Sequence, residues 1–323
     1  MPAPATNPTI YFIGVTTARS SILKIFPHWA QVLGLGPAEL KGVDFPLRAP
    51  REAYREIVAF IRDDPLSCGA LVTTHKVDLF NACRDLFADI DPLSRSTNET
   101  SCLSKRPDDH ALVCHAKDPV SAGLALNAFL PPRTWADRPA DAFLMGAGGA
   151  AIAISYHLLV SSPHRPRSLI VTDRSAERLE EIKRLHQAFP ASTPVRYEVV
   201  TTAEDNDRLL QGLRPGSLVV NATGLGKDGP GSPISDGARF PDSAFVWELN
   251  YRGELHFLVQ ARMQQRGRRL RVEDGWTYFI HGWTQVIAEV FHVDIPTDGP
   301  VFDRLSSVAA EVGSAAAQKA GAG

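Results

Sequence analysis

The sequence predicts an α/β fold in two domains, and three observations carry that expectation. Short apolar runs alternate with amphipathic stretches along nearly the whole chain, the pattern of strands exchanging with helices. A length of 323 residues suits about two domains. In the middle, Asp141-Ala-Phe-Leu-Met-Gly-Ala-Gly-Gly-Ala-Ala-Ile-Ala-Ile-Ser155 carries a short apolar run into a glycine loop and on into an apolar helix. That order, strand then glycines then helix, is the opening of a Rossmann-type, doubly wound parallel sheet.

The elements follow in order. Thr9 to Val15 reads as a strand, and Ser20 to Leu35 as a helix stopped by Gly34 or Gly36. Lys41 to Phe45 is a short strand. Arg51 to Arg62 is a helix bracketed by Pro50 and Pro65, Gly69 to Thr73 a strand, and Val77 to Phe87 a helix. Cys102 to Lys105 and Ala111 to His115 are strands around a polar turn at Arg106 to Asp109. Pro119 to Phe129 is helical and is broken by Pro131-Pro132. The second part runs strand (Ala142 to Met145), helix (Ala150 to Leu159), strand (Ser168 to Thr172), helix (Ala176 to Phe189), strand, helix, strand (Ser217 to Asn221). A strand at Ala244 to Leu249, a helix at Leu255 to Arg266, a strand at Leu270 to Val272 and a helix from Trp276 to Phe291 complete it. The expected division is 1–118 plus about 283–318 for an N-terminal α/β substrate domain and 119–282 for the dinucleotide domain, with substrate meeting cofactor between them. The small, polar stretch from Gly313 is expected to fray, with 319–323 a loose tail.

Composition narrows the function. Hydrophobic residues make up 44% and charged residues 22%, as in ordinary globular proteins, and the formal net charge of -2 gives no pull toward nucleic acid or an anionic membrane. The basic run Arg268, Arg269 and Arg271 flanks a strand. Cys68, Cys83, Cys102 and Cys114 lack metal-site spacing, so they are expected as reduced, mostly buried thiols, with no metal. No export signal or membrane-length apolar run is visible, so a cytoplasmic protein, monomer or homodimer, is expected.

The glycine loop carries the first chemistry. Gly146 permits the tight turn and Gly148 lets backbone approach a pyrophosphate, while Ala151 lets helix and strand pack closely. Gly146, Ala147, Gly148, Gly149 and Ala150 are therefore expected to hold the cofactor. The next strand ends in Asp173-Arg-Ser175. An Asp there accepts hydrogen bonds from ribose hydroxyls and repels a 2′-phosphate, whereas an Arg pairs with that phosphate. Asp173 favours NAD, and Arg174 leaves NADP open; the alternative is that Asp173 only caps the following helix. Asn221-Ala-Thr-Gly-Leu-Gly-Lys227 ends another strand, where Asn221, Thr223 and Gly224 can line the nicotinamide side.

Taken in order, Met145 to Ala151, Asp173 to Ser175 and Asn221 to Gly226 resemble the glycine loop, N-R-T turn and N-A-T-S-x-G loop of the shikimate/quinate dehydrogenase family. The N-terminal half is similar more loosely, at Ile13-Gly14 with Ser20, Val72-Thr-Thr-His-Lys76 and Ala116-Lys-Asp118, and further on Glu248-Leu-Asn-Tyr251 and the segment from Gly275 resemble the family's D-x-x-Y and last helix. The resemblance implies hydride transfer between a nicotinamide and a ring carbon bearing a hydroxyl or ketone. It implies Lys76 as acid/base and Asp118 as the carboxylate that orients it and the substrate. Ser20, Ser21, Thr73, Ser101, Tyr251 and His281 are then the implied substrate contacts.

The departures fall on the substrate side. The family's second serine falls at Ile22, its proline at Thr74 in a segment one residue short, and its asparagine at Ser101. Ala116 and Lys117 replace Asn and Thr, and Gly282 replaces Gln beside His281. Glu99 repels a carboxylate if it faces the cleft. The expectation is therefore a small cyclic polyol or ring acid other than shikimate, with His115 and His281 as further candidates. The alternatives are shikimate dehydrogenase proper, a non-catalytic ligand sensor on the same fold, or a dehydrogenase of a cofactor-like substrate such as a pterin.

Overall fold

The computed structural model describes residues 2–131, 133–162, 165–227 and 229–320. Two compact units divide the chain: Met1–Lys117 with Gly282–Gly323, and Asp118–His281.

The first unit runs β1 (Thr9–Gly14), α1 (Ile22–Val32), β2 (Glu39–Asp44), α2 (Arg51–Asp63), β3 (Ser67–Val72), α3 (Lys76–Cys83), β4 (Asp89–Ile90), α4 (Pro92–Thr97), β5 (Cys102–Lys105) and β6 (Leu112–His115). Its sheet order is β2-β1-β3-β5-β6-β4. The pairs of β1 are parallel, β5 runs antiparallel to both neighbours, and β4 joins β6 in parallel. The carboxyl ends of β1, β3 and β6 and the start of β5 therefore meet at one edge. Every residue of β1 is buried, so its Thr-Ile-Tyr-Phe-Ile-Gly run shows no alternation, as expected of a strand covered on both faces. Tyr11, Tyr54, Ile57, Val72 and Phe80 form the core beneath that edge.

The segment between Phe87 and Cys102, where the hydrophobic pattern predicts no element, holds β4 and α4. The short helix α4 is set by Asp91, whose carboxylate accepts the Ser94 amide at 2.6 Å, with Pro92 in the first turn.

The second unit runs α5 (Asp118–Phe129), β7 (Ala142–Met145), α6 (Gly149–Tyr156), β8 (Leu169–Asp173), α7 (Ala176–Gln187), β9 (Val195–Val199), α8 (Ala203–Gln211), β10 (Leu218–Asn221), β11 (Phe245–Glu248), α9 (His256–Arg268) and β12 (Arg271–Glu273). All its strands are parallel in the order β12-β11-β10-β7-β8-β9. Numbered from β7, this is the doubly wound order 3-2-1-4-5-6, whose winding reverses beside β7. The residues of β7 and β10 are fully buried, between helices on both faces.

Helix α10 (Trp276–Phe291) crosses the division between the units, and α11 (Gly299–Ala320) follows it. The Trp29 indole on α1 donates to the Leu305 carbonyl on α11 at 2.8 Å, so α11 packs within the first unit. The stretch from Gly313 that is expected to fray forms the last part of α11, which runs to Ala320. Residues 321–323 of the expected loose tail lie outside the described residues, as does Pro132.

Candidate cofactor and substrate sites

In the second unit a cavity of about 220 Å³ opens beside β7, lined by Gly146, Gly148, Asp173, Arg174, Thr223 and further residues of β8 to β10 and their loops. Its position beyond the carboxyl ends of the strands at the switch point follows from the topology. Gly146 has φ 106°, and a Cβ there would lie 2.6 Å from the Ala222 carbonyl oxygen. Glycine is thus required for the loop after β7 to touch the loop after β10. The Ala222 amide donates to the Met145 carbonyl at 2.8 Å, which completes that contact. Gly148 precedes α6 without a side-chain cap, so Gly149 and Ala150 open the helix with first-turn amides that have no intrahelical partner. Ala151 is fully buried against the sheet. These features fit a pyrophosphate held at a helix N-terminus.

Asp173 does more than the sequence indicated. Its carboxylate accepts the Ala147 amide at 2.8 Å and the Ser175 amide at 2.8 Å. The N-cap of α7 is Ser175, whose hydroxyl accepts the Arg178 amide, so Asp173 is not that helix's cap. Arg178 went unnoticed in the sequence, yet it lines the cavity with Arg174, and its guanidinium reaches within 3.8 Å of where a Gly148 Cβ would stand. Its place in the first turn of α7, three residues past the N-cap Ser175 of the Asp-Arg-Ser turn, is the signal that could have found it. Thr172, Thr201, Thr202, Asn206 and Ser232 also line the cavity, joined in part through Thr172 Oγ1 to Asn206 Oδ1 at 2.9 Å.

The loop after β10 is shaped by Asn221. Its Oδ1 accepts the Thr223 amide and hydroxyl at 3.1 and 2.7 Å, and its Nδ2 donates to Glu248 at 2.8 Å. Gly224 takes φ 77° in the same turn. Glu248 is fully buried, and burial pushes its carboxyl up to about 7 against the Asn250 amide and Asn221 bonds that lower it. Tyr251 lies in an aromatic cluster, 4.5 Å from the ring of Phe279 and 5.6 Å from that of Trp276. His281 is buried on α10, which holds its imidazole down at about 4. Asp118 is the first residue of α5 and is half-buried.

On the first unit, backbone bonds gather the other named residues at the sheet edge. The Thr73 amide donates to Ile13, Val72 to Ser101, Ser101 to His115, and Thr100 to Lys76, at 2.9 to 3.2 Å. Lys76 opens α3. Ser20 ends a single 3₁₀ turn, and Ser21 is the N-cap of α1 without a side-chain bond. Ile22 is wholly in the core, so the helix phase that seats α1 takes that position away from a polar role. The Ser101 hydroxyl accepts the Lys117 amide at 2.7 Å.

Thr74 has φ 60°, so the segment one residue short closes through a left-handed residue, where proline with its fixed negative φ cannot stand. His115 is engaged by Ser104 at 2.9 Å and lies between the carboxylates of Asp91 and Glu289 at 3.5 and 3.4 Å. Lys117 Nζ donates to Glu289 at 2.5 Å, and Lys117 and His115 hold that carboxyl below its ordinary value. All four cysteines are free thiols, and three of them are buried. Among the described residues no helix is long and apolar enough to cross a membrane, and no cluster could hold a metal ion.

These features define a class: two α/β units, one of them Rossmann-type with a cleft at its switch point. Known proteins resemble the chain in sequence, mostly over part of its length, and in fold over nearly all of it. No family model matches the chain. A shikimate dehydrogenase (NADP(+)) of Magnetococcus marinus is 30% identical over 43% of this chain and 45% of its own length. The chain spans about half the length, or less, of the curated relatives it matches first. A shikimate dehydrogenase (NADP(+)) of Rhodopseudomonas palustris is 26% identical over 83% of this chain and 85% of its own. In fold, quinate dehydrogenase of Corynebacterium glutamicum in complex with NAD superimposes with TM-score 0.68 at 16% identity, covering 94% of this chain and 98% of that one. Shikimate 5-dehydrogenase of Thermus thermophilus, in complex with NADP(H) and shikimate, gives TM-score 0.68 at 18% identity, over 94% and 99%. The chain is thus similar to shikimate dehydrogenases in sequence and shares the two-domain fold of shikimate and quinate dehydrogenases over nearly its whole length.

Proposed function

We propose that the protein is an NAD(P)-dependent oxidoreductase acting on a ring hydroxyl or ketone of a shikimate- or quinate-like cyclic compound. The observation that carries this reading is the glycine cleft at the switch point, in a chain whose α3 opens on Lys76 and whose α5 opens on Asp118. The nicotinamide supplies hydride chemistry when bound. The chain's own residues manage the proton and the charge. Lys76 takes the hydroxyl proton as the ketone forms and returns it in reduction, and its ammonium stabilises negative charge developing on the oxygen. Asp118 orients the ammonium and the substrate.

The substrate is proposed to differ from shikimate. Ile22 is committed to the core, the Ser101 hydroxyl is engaged by the Lys117 amide, and Gly282 carries no side chain. Three positions where the family's pattern places polar groups are thus altered. A cyclic polyol or a differently substituted ring acid suits this edge better.

For the cofactor, Asp173 alone favours NAD, but its carboxylate is bonded to two backbone amides, and Arg174 and Arg178 both line the cavity. Two guanidinium groups beside one carboxylate whose oxygens are taken up by backbone amides support binding of a 2′-phosphate, so NADP is the proposed partner.

The test is a panel of ring acids and cyclitols followed through reduced-nicotinamide absorbance with both cofactors. Lys76→Ala is expected to cost on the order of 10² to 10⁴ in rate while cofactor still binds. An unchanged rate removes Lys76 from the mechanism. Shikimate turned over with a micromolar Michaelis constant refutes the altered substrate.

A further inference from the structure

Between the end of β3 and the start of α3 the chain reverses within three residues. The His75 amide donates to the Thr73 carbonyl at 2.5 Å, and Thr74 between them has φ 60°. A three-residue turn closed around a positive φ is a γ-turn of the rare, strained hand. A β-branched residue at positive φ is itself an outlier. Thr74 is solvent-exposed, so burial of its side chain is not what selects the conformation.

The turn is held at both ends instead. Before it, the Thr73 amide donates to the Ile13 carbonyl at 2.9 Å, and the Thr73 methyl would lie 3.0 Å from a Cβ on Gly14. After it, His75 is buried with 1% exposure, and its Nδ1 is 2.8 Å from the Tyr54 hydroxyl. The imidazole stands edge-on to Phe45, with ring centroids 6.2 Å apart. The His75 carbonyl then accepts the Leu79 amide at 2.8 Å, which begins α3. Strain of this kind persists only where the surroundings over-determine it. The residue it delivers, as the first of α3, is Lys76.

We infer that Tyr54 and His75 are positioning residues for Lys76: their hydrogen bond holds the strained turn at Thr74 that sets where Lys76 stands. The inference rests on the proposed role of Lys76. It makes a prediction that a merely structural contact does not. Glycine adopts a positive φ freely, so once Thr74 is replaced by Gly the turn no longer needs its anchor.

The experiment is a cycle of four proteins: wild type, Tyr54→Phe, Thr74→Gly and the double variant. Each is read by thermal melting and by steady-state kinetics on the best substrate of the panel, with Lys76→Ala alongside. Tyr54→Phe is expected to lower Tm and to lower kcat about 10- to 100-fold, with the cofactor KM held within about twofold. Thr74→Gly alone should keep kcat within about threefold of wild type and raise Tm by roughly 2 °C. Adding it to Tyr54→Phe should bring kcat back to within about threefold of wild type, a strongly non-additive pair. Additive losses, or a wild-type kcat in Tyr54→Phe, overturn the inference. A fully active Lys76→Ala overturns the catalytic reading and the positioning role with it. An inactive Lys76→Ala beside an additive cycle removes the positioning role alone.

Discussion

Replacing Asp173 by Ala is expected to loosen the glycine loop before it alters cofactor choice. The carboxylate ties the Ala147 amide, in the loop after β7, to the Ser175 amide at the start of α7, at 2.8 Å each. Hydrogen bonds to a charged group contribute about 1.5–3 kcal/mol apiece. Partial exposure reduces this, so the pair contributes about 2–4 kcal/mol to the unit. The thermal midpoint should fall by roughly 5–10 °C. If about 1.4 kcal/mol of the loss is felt by the bound state, affinity falls about tenfold for either cofactor. The measurement is a melting curve with fluorescence titrations of NADH and NADPH. Asp173→Asn keeps the shape and one acceptor oxygen and should fall between. An unchanged midpoint together with tighter NADPH binding would refute the reasoning. Asp173 would then act chiefly against a 2′-phosphate, as the sequence alone suggested.

Gly146→Ala drives a methyl to 2.6 Å from the Ala222 oxygen at φ 106°, so it should cost roughly 1–3 kcal/mol in strain and abolish cofactor binding in the same titration. Arg174→Ala with Arg178→Ala should lower kcat/KM for NADP at least about tenfold more than for NAD, by loss of two charge-assisted contacts; equal losses would remove both from phosphate recognition. His186 and His281, both held at about 4 by burial, give stability that is present above about pH 6.5 and lost as pH falls toward 4. Glu248, raised to about 7, gives stability that is present below about pH 4.5 and lost as pH rises through 7. Each is worth roughly 3 kcal/mol, two histidines outweigh one carboxyl, and melting between pH 8 and 4.5 should show a net loss on acidification.

The glycine loop and its flanking strand and helix were legible in the sequence because their requirements are local. A phosphate loop needs strand, glycines and helix in immediate succession, and β7 begins and ends where the apolar run does. Arg178 is harder to see in the sequence, because it belongs to the first turn of α7 and not to the Asp173 to Ser175 turn that marks the cofactor side. The β4 and α4 pair was missed for two reasons. A two-residue strand has no period to detect, and α4, capped by Asp91 with Pro92 in its first turn, is only six residues long.

The substrate side resists such reading because remote contacts decide it. Counting along the motif puts a candidate polar position at Ile22, but the helix phase of α1 buries that residue and leaves Ser20 and Ser21 in the turn before it. His115 looked available as an isolated histidine. It is instead held by Ser104 and the carboxylates of Asp91 and Glu289, and Glu289 comes from α10, far along the chain. The missing residue before Lys76 was countable, but its consequence was not. A shorter loop could have slid the helix or shifted the strand, and only the fixed ends of β3 and α3, with Tyr54 holding His75, leave a left-handed Thr74 as the way to close it. Thr74 and the amide-held Ser101 both stand where β3 ends and β5 begins, whereas Ile22 is taken into the core by α1, and the left-handed Thr74 closes the short segment while Tyr54 fixes His75 at the start of α3.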